Sequence, residues 1–461
     1  MRTSFSVLLL VVLLPLVASA NRVDSTNLLQ TIRLEQAALT LDYNANGNIL
    51  AVAGRGNTIT IIQPTTGSIV KTLEGGHSDD INSICFNEDD RLIASASSDG
   101  KVIIWDVGKA KPIRILEGHS DYVTDVDWSP DDELLISAGE DGRVIIWEAG
   151  TGRNLRETEP QEAKITGVKF NPIQTHFATS STDGIIRVYN AENMRLTQRF
   201  TAHNNDATNL QWSRRSGLIS SGGIDNVASI YNPKTKLQVH AFSDHAEDIT
   251  STTFSPDGTV LASSGADRTI RLWDIPTGRR ILTLSSSAHV TDVEAIQFNP
   301  DGSSLASCSR DGVVNIWRTP NLEERLVAAV QTSLAAWREK SPFESQDNYE
   351  KRMKKTARET ENIRLELEGE LAAFYEENVD WRDGMAFRTY NADGAYFPIT
   401  SKLFGTLKLM VSNADAPEVA GRLDELTFDD LNLRVRKGRI EVRRIKAQLK
   451  DPNRTYKVVL L

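Results

Sequence analysis

The sequence predicts an all-β, seven-bladed β-propeller followed by a smaller α+β module at the C-terminal end, and three observations carry that expectation. One pattern recurs: SSDGKVIIWD from Ser97, GEDGRVIIWE from Gly139, GADRTIRLWD from Gly265 and SRDGVVNIWR from Ser309. The aromatic residue of each copy falls at Trp105, Trp147, Tyr189, Tyr231, Trp273 and Trp317, in steps of 42, 42, 42, 42 and 44 residues. Each unit also reads as four short strands parted by polar turns, as in INSICFN, RLIASAS, KVIIWD and PIRILEG. Four strands at a period of about 40–45 residues are the signature of a propeller blade.

Taken in order, the chain opens with MRTSFSVLLLVVLLPLVASA, in which Arg2, an apolar run from Val7 to Val17 and the small residues Ala18-Ser19-Ala20 follow one another. That order predicts a cleaved signal peptide over 1–20, because the apolar run is about half the roughly 20 residues that span a bilayer. The mature chain is therefore expected to be exported, to a periplasm or outside the cell. The propeller is expected over 21–320. LLQTIRLE, residues 28–35, matches the fourth strands VKTLEGG and IRILEGH, whereas the last unit lacks a fourth strand after Trp317. The N-terminal strand is therefore expected to complete the last blade and close the ring. A degenerate first unit carries Ile62 in the aromatic position and Gly56 where the others have aspartate.

Gly76-His77 and Gly118-His119, the aspartate turns, and Trp105-Asp106 and Trp273-Asp274 resemble the WD40-repeat family over residues 27–320. Histidine precedes aspartate by 22 residues at His77 and Asp99, His119 and Asp141, His203 and Asp225, His245 and Asp267, and His289 and Asp311. The aromatic follows six later. Histidine, Ser95 and aspartate could form a hydrolytic triad, but five triads in one chain are not expected. The resemblance implies instead a structural tetrad in which aspartate accepts from histidine and a serine or threonine links histidine to the Trp indole. It assigns His77, Asp99, Trp105, His119, Asp141, Trp147, His203, Asp225, Tyr231, His245, Asp267, Trp273, His289, Asp311 and Trp317 to the scaffold. The unit ending at Tyr189 departs from it, with Gln161 in the histidine position.

The same resemblance places the loops after each Gly-His and around each aspartate on one face. Asp79, Asp80, Asp121, Tyr122, Glu247, Asp248, Asp292 and Arg310 would share that rim. Such a face keeps a protein soluble or docks a protein or peptide of basic character. Of 52 Lys and Arg and 62 Asp and Glu, 24 of each follow residue 320, which leaves 27 basic against 38 acidic residues over 21–320. That excess argues against nucleic acid as the ligand. Cys85 and Cys308 lie in different units and read as small buried hydrophobes. Without C-x-x-C spacing or clustered histidines, neither a metal nor a cofactor is expected. Hydrolase, P-loop, zincin and dinucleotide motifs are absent, so the chain is expected not to be an enzyme. The alternative is a carbohydrate-binding or hydrolytic propeller of the cell envelope, whose site could draw on several blades and leave no linear motif.

Residues 321–380 read as helical. NLEERLVAAVQTSLAAWREK forms one helix, SPFE breaks it, and Ser345 caps a long second helix running to about Asn378. Tyr349, Met353, Thr360, Ile363, Leu367, Leu371 and Phe374 form its apolar stripe, expected to pack on its own domain. Residues 381–461 read as a small β-rich module with a turn at Asn391–Gly394 and a basic hairpin turning near Lys437-Gly438. Leu433, Val435, Ile440 and Val442 would line one face of that hairpin, and Arg434, Arg436 and Arg443 the other. Those arginines are candidates for contact with an anionic envelope surface or an acidic rim. FESQDNYEKRM and YNADGAYFPI resemble accessory modules of bacterial envelope proteins. The expected function is an exported, non-catalytic scaffold that presents the loop face of its propeller to a protein or peptide.

Overall fold

The computed structural model describes residues 27–460 except 173–174, 286–288, 342–343, 379–385, 388, 402–404, 413–414, 421, 424–425, 437–438 and 450–454. The signal peptide expected over 1–20 and the hairpin turn at 437–438 lie outside the described residues.

Seven four-stranded antiparallel sheets form the propeller. Blades 1 to 6 span 38–73, 81–117, 123–157, 165–201, 207–242 and 249–285, each running from its innermost to its outermost strand. Blade 7 takes its three inner strands from 293–318 and its outermost strand, Leu28–Arg33, from the start of the chain. Leu28–Arg33 pairs antiparallel with Val313–Arg318, and Thr31 Oγ1 donates to Asn315 Oδ1 at 2.8 Å. The ring thus closes with hydrogen bonds between the two ends of the repeat, which cover the outer edge of Val313–Arg318.

Burial follows strand order. In blade 2 the second strand, Leu92–Ser97, and the third, Lys101–Asp106, are buried almost throughout, whereas the outermost, Lys111–Glu117, is mostly exposed. Trp105, Trp147 and Trp317 are among the largest fully buried side chains, each filling the space between neighbouring blades. Burying one such ring contributes several kcal/mol of apolar transfer.

Beyond the propeller come helices α1 (Leu322–Arg338), α2 (Gln346–Met353) and α3 (Thr356–Asn378). Asn321 and Glu324 cap α1 reciprocally, and Ser345 caps α2 through the Asn348 N–H. The single long helix expected from Ser345 to Asn378 is therefore broken at Lys354-Lys355. The Lys355 N–H bonds Arg352 O in a tightened turn, while Arg352 is held by Glu344 and stacked over Trp337 and Tyr349. α2 is thereby pinned to the end of α1 and cannot continue straight into α3.

The remaining strands make one six-stranded antiparallel sheet, with spatial order Ala386–Phe387, Tyr396–Ser401, Gly405–Met410, Thr455–Leu460, Arg439–Leu449, Leu426–Arg436. Leu367, Leu371 and Phe374 of α3 pack on this sheet and on α1, and the same apolar cluster runs into Trp273 and Ile275 of blade 6. The stripe of α3 therefore serves its own module and extends to the propeller as well. Tyr349 and Met353, on α2, lie outside that cluster. Arg325 of α1 is 5% exposed, donates to Thr259 Oγ1 at 3.0 Å and lies 3.6 Å from Asp257 and 3.7 Å from Asp274. Tyr375 Oη donates to Asp257 at 3.1 Å. These contacts all fall on the turns opposite the Gly-His loops.

Candidate interaction face

Four of the five histidine–aspartate pairs meet directly. His77 Nδ1 lies 3.0 Å from Asp99, its Nε2 lies 2.7 Å from Ser95 Oγ, and Trp105 Nε1 donates to that Oγ at 2.8 Å. The same network joins His119, Asp141, Ser137 and Trp147, and again His245, Asp267, Ser263 and Trp273. His203 reaches Asp225 and Ser221, each at 3.0 Å, while Tyr231 turns its hydroxyl to the Thr201 and Ala202 carbonyls instead. Burial lowers the His77 and His203 pKa values more than their aspartates raise them, so both rings are neutral at pH 7. A neutral ring donates from Nδ1–H to the carboxylate and accepts the serine O–H at Nε2. Ser95, Ser137, Ser221 and Ser263 are all fully buried, so no substrate reaches these hydroxyls.

Blade 7 differs. His289 and Asp311 do not pair directly: Ser309 Oγ stands between them, 2.6 Å from His289 Nδ1 and bonded to Asp311. His289 Nε2 meets Ser307 and Asn315, and burial pushes its pKa down to about 4. Blade 4 replaces the brace outright. Gln161 Nε2 donates to Tyr189 Oη at 3.2 Å, while Asp183 takes Ser181 and Arg187 as partners. Burial works against the Asp183 charge, but Arg187 and Ser181 outweigh it and hold the pKa at about 2. In blade 1, Gln36 fills the place of the missing aspartate side chain, against Gly56 at φ +105°.

The rim residues lie on the loops that these braces hold. The Asp79 carboxylate accepts the Asp80 N–H at 2.7 Å, and that of Asp121 accepts the Tyr122 N–H at 2.9 Å. Three cations on the same face are paired, Arg55 with Asp80 at 3.5 Å, Lys164 with Glu140, and Arg310 with Glu294, whereas exposed Arg268, beside Asp267, enters no ion pair among the described residues. Asp79, Asp121, Glu247, Asp248 and Asp292 enter no ion pair among the described residues. Apolar groups stand among them, with Tyr122 48%, Ile224 38% and Val290 67% exposed. Sequence reasoning passed over Ile224 and Val290 as site residues. Their only signal is position, one directly before the turn aspartate and the other directly after the histidine.

A family model described as the IFT122 first beta-propeller matches residues 37–287, more than half of the chain. The chain belongs to this family. A second, the WD domain, G-beta repeat, matches residues 278–318. DDB1- and CUL4-associated factor 10 of Xenopus tropicalis is 33% identical over 94 residues, 20% of each chain. The protein of the same name from Homo sapiens is 33% identical over 94 residues, 20% of this chain and 16% of that one. THO complex subunit 6 homolog of Danio rerio is 36% identical over 74 residues, 16% of this chain and 23% of that one. The chain thus spans about a fifth of the length of the first of these relatives.

Two further rings hold the blades of this IFT122-type propeller together, and neither was legible in the sequence. In blades 2 to 6 the second residue of the inner strand reaches the next blade: Asn82 donates to Val123 O, Thr124 to Ile165 O, Thr166 to Ala207 O, Thr208 to Ile249 O and Thr250 to Val293 O. The fifth residues are Asp42, Cys85, Asp127, Lys169, Gln211, Thr253 and Gln297. Asp42 accepts the Phe86 N–H at 2.7 Å and Asp127 the Phe170 N–H at 2.8 Å, so each carboxylate ties its blade to the next. Burial raises Asp42 to about 7 and Asp127 to about 6. Cys85 stands in this ring half-buried, less buried than expected, and packs against the apolar cluster of Val126, Trp128 and Trp147; Cys308 is fully buried, and both are free thiols. Burial raises both thiols, helped at Cys85 by Asp127 and Asp42, so neither is a ready nucleophile.

In the C-terminal module Leu433 and Val435 are buried, with Ile440 and Val442 packed beside them, while Arg436 and Arg443 are exposed and Arg434 is half-buried opposite Glu441.

Proposed function

We propose that this propeller is an exported, non-catalytic scaffold whose loop face holds a protein or peptide partner of basic character. One observation carries the reading: on that face Arg55, Lys164 and Arg310 are already paired, while Asp79, Asp121, Glu247, Asp248 and Asp292 keep unpaired charge and outnumber Arg268, the one unpaired arginine of the turn aspartate loops among the described residues. Unpaired carboxylates around exposed Tyr122, Ile224 and Val290 suit a ligand with Lys or Arg and an apolar anchor. The names of the similar proteins speak of association and of a complex, which supports a scaffold without identifying a partner. Export rests on the first twenty residues, and a peripheral envelope contact rests on Arg434, Arg436 and Arg443.

The test is capture by crosslinking from the native fraction, with the chain as it is and with Asp79, Asp80, Asp121 and Asp248 changed to Asn. A defined partner lost on neutralisation, and weakened as salt rises, supports the reading. Equal capture by both forms contradicts it. Fusing residues 1–26 to a reporter active only outside the cytoplasm tests export separately: an active reporter is expected, and a silent one removes export alone.

A further inference from the structure

On the side of the ring opposite the rim, blades 4 and 5 line an open cavity of about 280 Å³. Val188 and Trp212 give it apolar walls, His176 and Gln198 polar ones, and Lys234 and Lys236 stand exposed on the turn beside it. The polar wall is incomplete. Of eight buried side-chain nitrogen and oxygen atoms without a hydrogen-bond partner among the described residues, four belong to blade 4: Gln161 Oε1, His176 Nδ1, Thr179 Oγ1 and Gln198 Oε1. Two of these four belong to the cavity lining, in the one blade where glutamine and tyrosine replace the His–Trp brace. His176 and Gln198 each bring one unpartnered atom to this wall, shut off from the open space unless the side chain turns. Neither lysine enters an ion pair among the described residues.

We infer that this cavity binds the carboxyl-terminal end of a peptide whose last residue is apolar. The chemistry assigns each wall one part of such a ligand. Lys234 and Lys236 attract the carboxylate. Gln198 Oε1 lacks a donor, and rotation of its terminal amide presents that oxygen to the N–H of the last residue. The apolar side chain lies against Val188 and Trp212, and the volume suits one such residue with its carboxyl group. A free N-acylated amino acid offers the same three groups, so either source fits the site. The site lies apart from the rim, and neither reading depends on the other.

Calorimetric titration of the full chain with acetyl-Gly-Val-Leu tests it, beside the same peptide as its C-terminal amide. The free acid is expected to bind and the amide to bind about tenfold more weakly, as expected for loss of a charge-assisted contact. Lys234→Gln with Lys236→Gln should produce the same loss for the acid, with an unchanged melting temperature because both side chains are exposed. Changing Asp79 and Asp121 to Asn should leave it unaltered. N-acetyl-leucine separates the sources: binding close to that of the tripeptide assigns the site to free acids, and much weaker binding to peptide ends. Absence of binding, equal affinity of acid and amide, or no effect of the lysine changes would overturn the inference.

Discussion

Ser309 shows how one hydroxyl alters a brace. In blades 3, 5 and 6 its place is taken by Gly139, Gly223 and Gly265, where a Cβ would come within 2.9, 2.3 and 3.0 Å of the histidine Nδ1. Glycine lets histidine and aspartate meet, and serine at 309 inserts its oxygen between them. Blade 2 accommodates Ser97 because its hydroxyl turns to the Asp79 carbonyl. The spacing of 22 residues thus made the five pairs legible, but not the geometry of the fifth, which depends on a neighbour outside the motif. Ser95→Ala should destabilise the fold by about 2–3 kcal/mol in urea unfolding, since the buried Trp105 N–H and His77 Nε2 both lose their partner. Gly56→Asp, which restores the repeat pattern, should also destabilise, by about 1–3 kcal/mol. The φ of +105° strains any side chain there, and its Cβ would stand 1.6 Å from Gln36 Oε1. An unchanged or raised melting temperature would refute that account of blade 1.

At the scale of elements, strands were the most legible because turn chemistry and the 42-residue step repeat along the chain. The ends of the helical region were also legible, from the Ser345 cap and the stripe to Phe374. Its break at 354–355 was not, because the contacts of Arg352 with Glu344 and Trp337 carry no periodic signal. Nor does the pattern reveal that α1 sends Arg325 into blade 6. Burial raises Asp274, and Arg325 opposes this; at Asp257 Arg325 and local hydrogen bonds outweigh burial and hold the carboxyl low. Arg325→Met leaves both carboxylates without their cation. It should cost on the order of 3 kcal/mol and speed proteolysis at 339–345, read by urea unfolding and by limited digestion. Unchanged digestion would mean that the apolar contacts alone hold the module.

For the whole molecule, closure of the ring was legible in LLQTIRLE, whereas the charges inside it were not, since an aspartate in an inner strand looks like any other alternating polar residue. Asp42 has consequences for pH. Its folded-state pKa of about 7 lies above the ordinary value of 3.8, so the folded chain holds that proton more tightly than the unfolded one. The stability this confers is fully present below about pH 4 and is lost as pH rises through 7. Asp42→Asn cannot ionise, so its stability relative to the unaltered chain should rise by about 3 kcal/mol between pH 5 and pH 8. Parallel melting curves for the two proteins, at constant offset across that range, would contradict the burial of Asp42. The rim is the other property of the whole ring, because its acidic loops come from separate blades and only closure brings them together. Placing a photo-crosslinking amino acid at Tyr122 on the rim, or at Lys236 on the opposite face, and capturing from the native fraction tests the proposed scaffold most directly. A defined basic protein crosslinked from Tyr122, and lost when Asp79 and Asp121 are changed to Asn, is the expected result; a partner crosslinked only from Lys236, or capture from Tyr122 that ignores the charge changes, would contradict it.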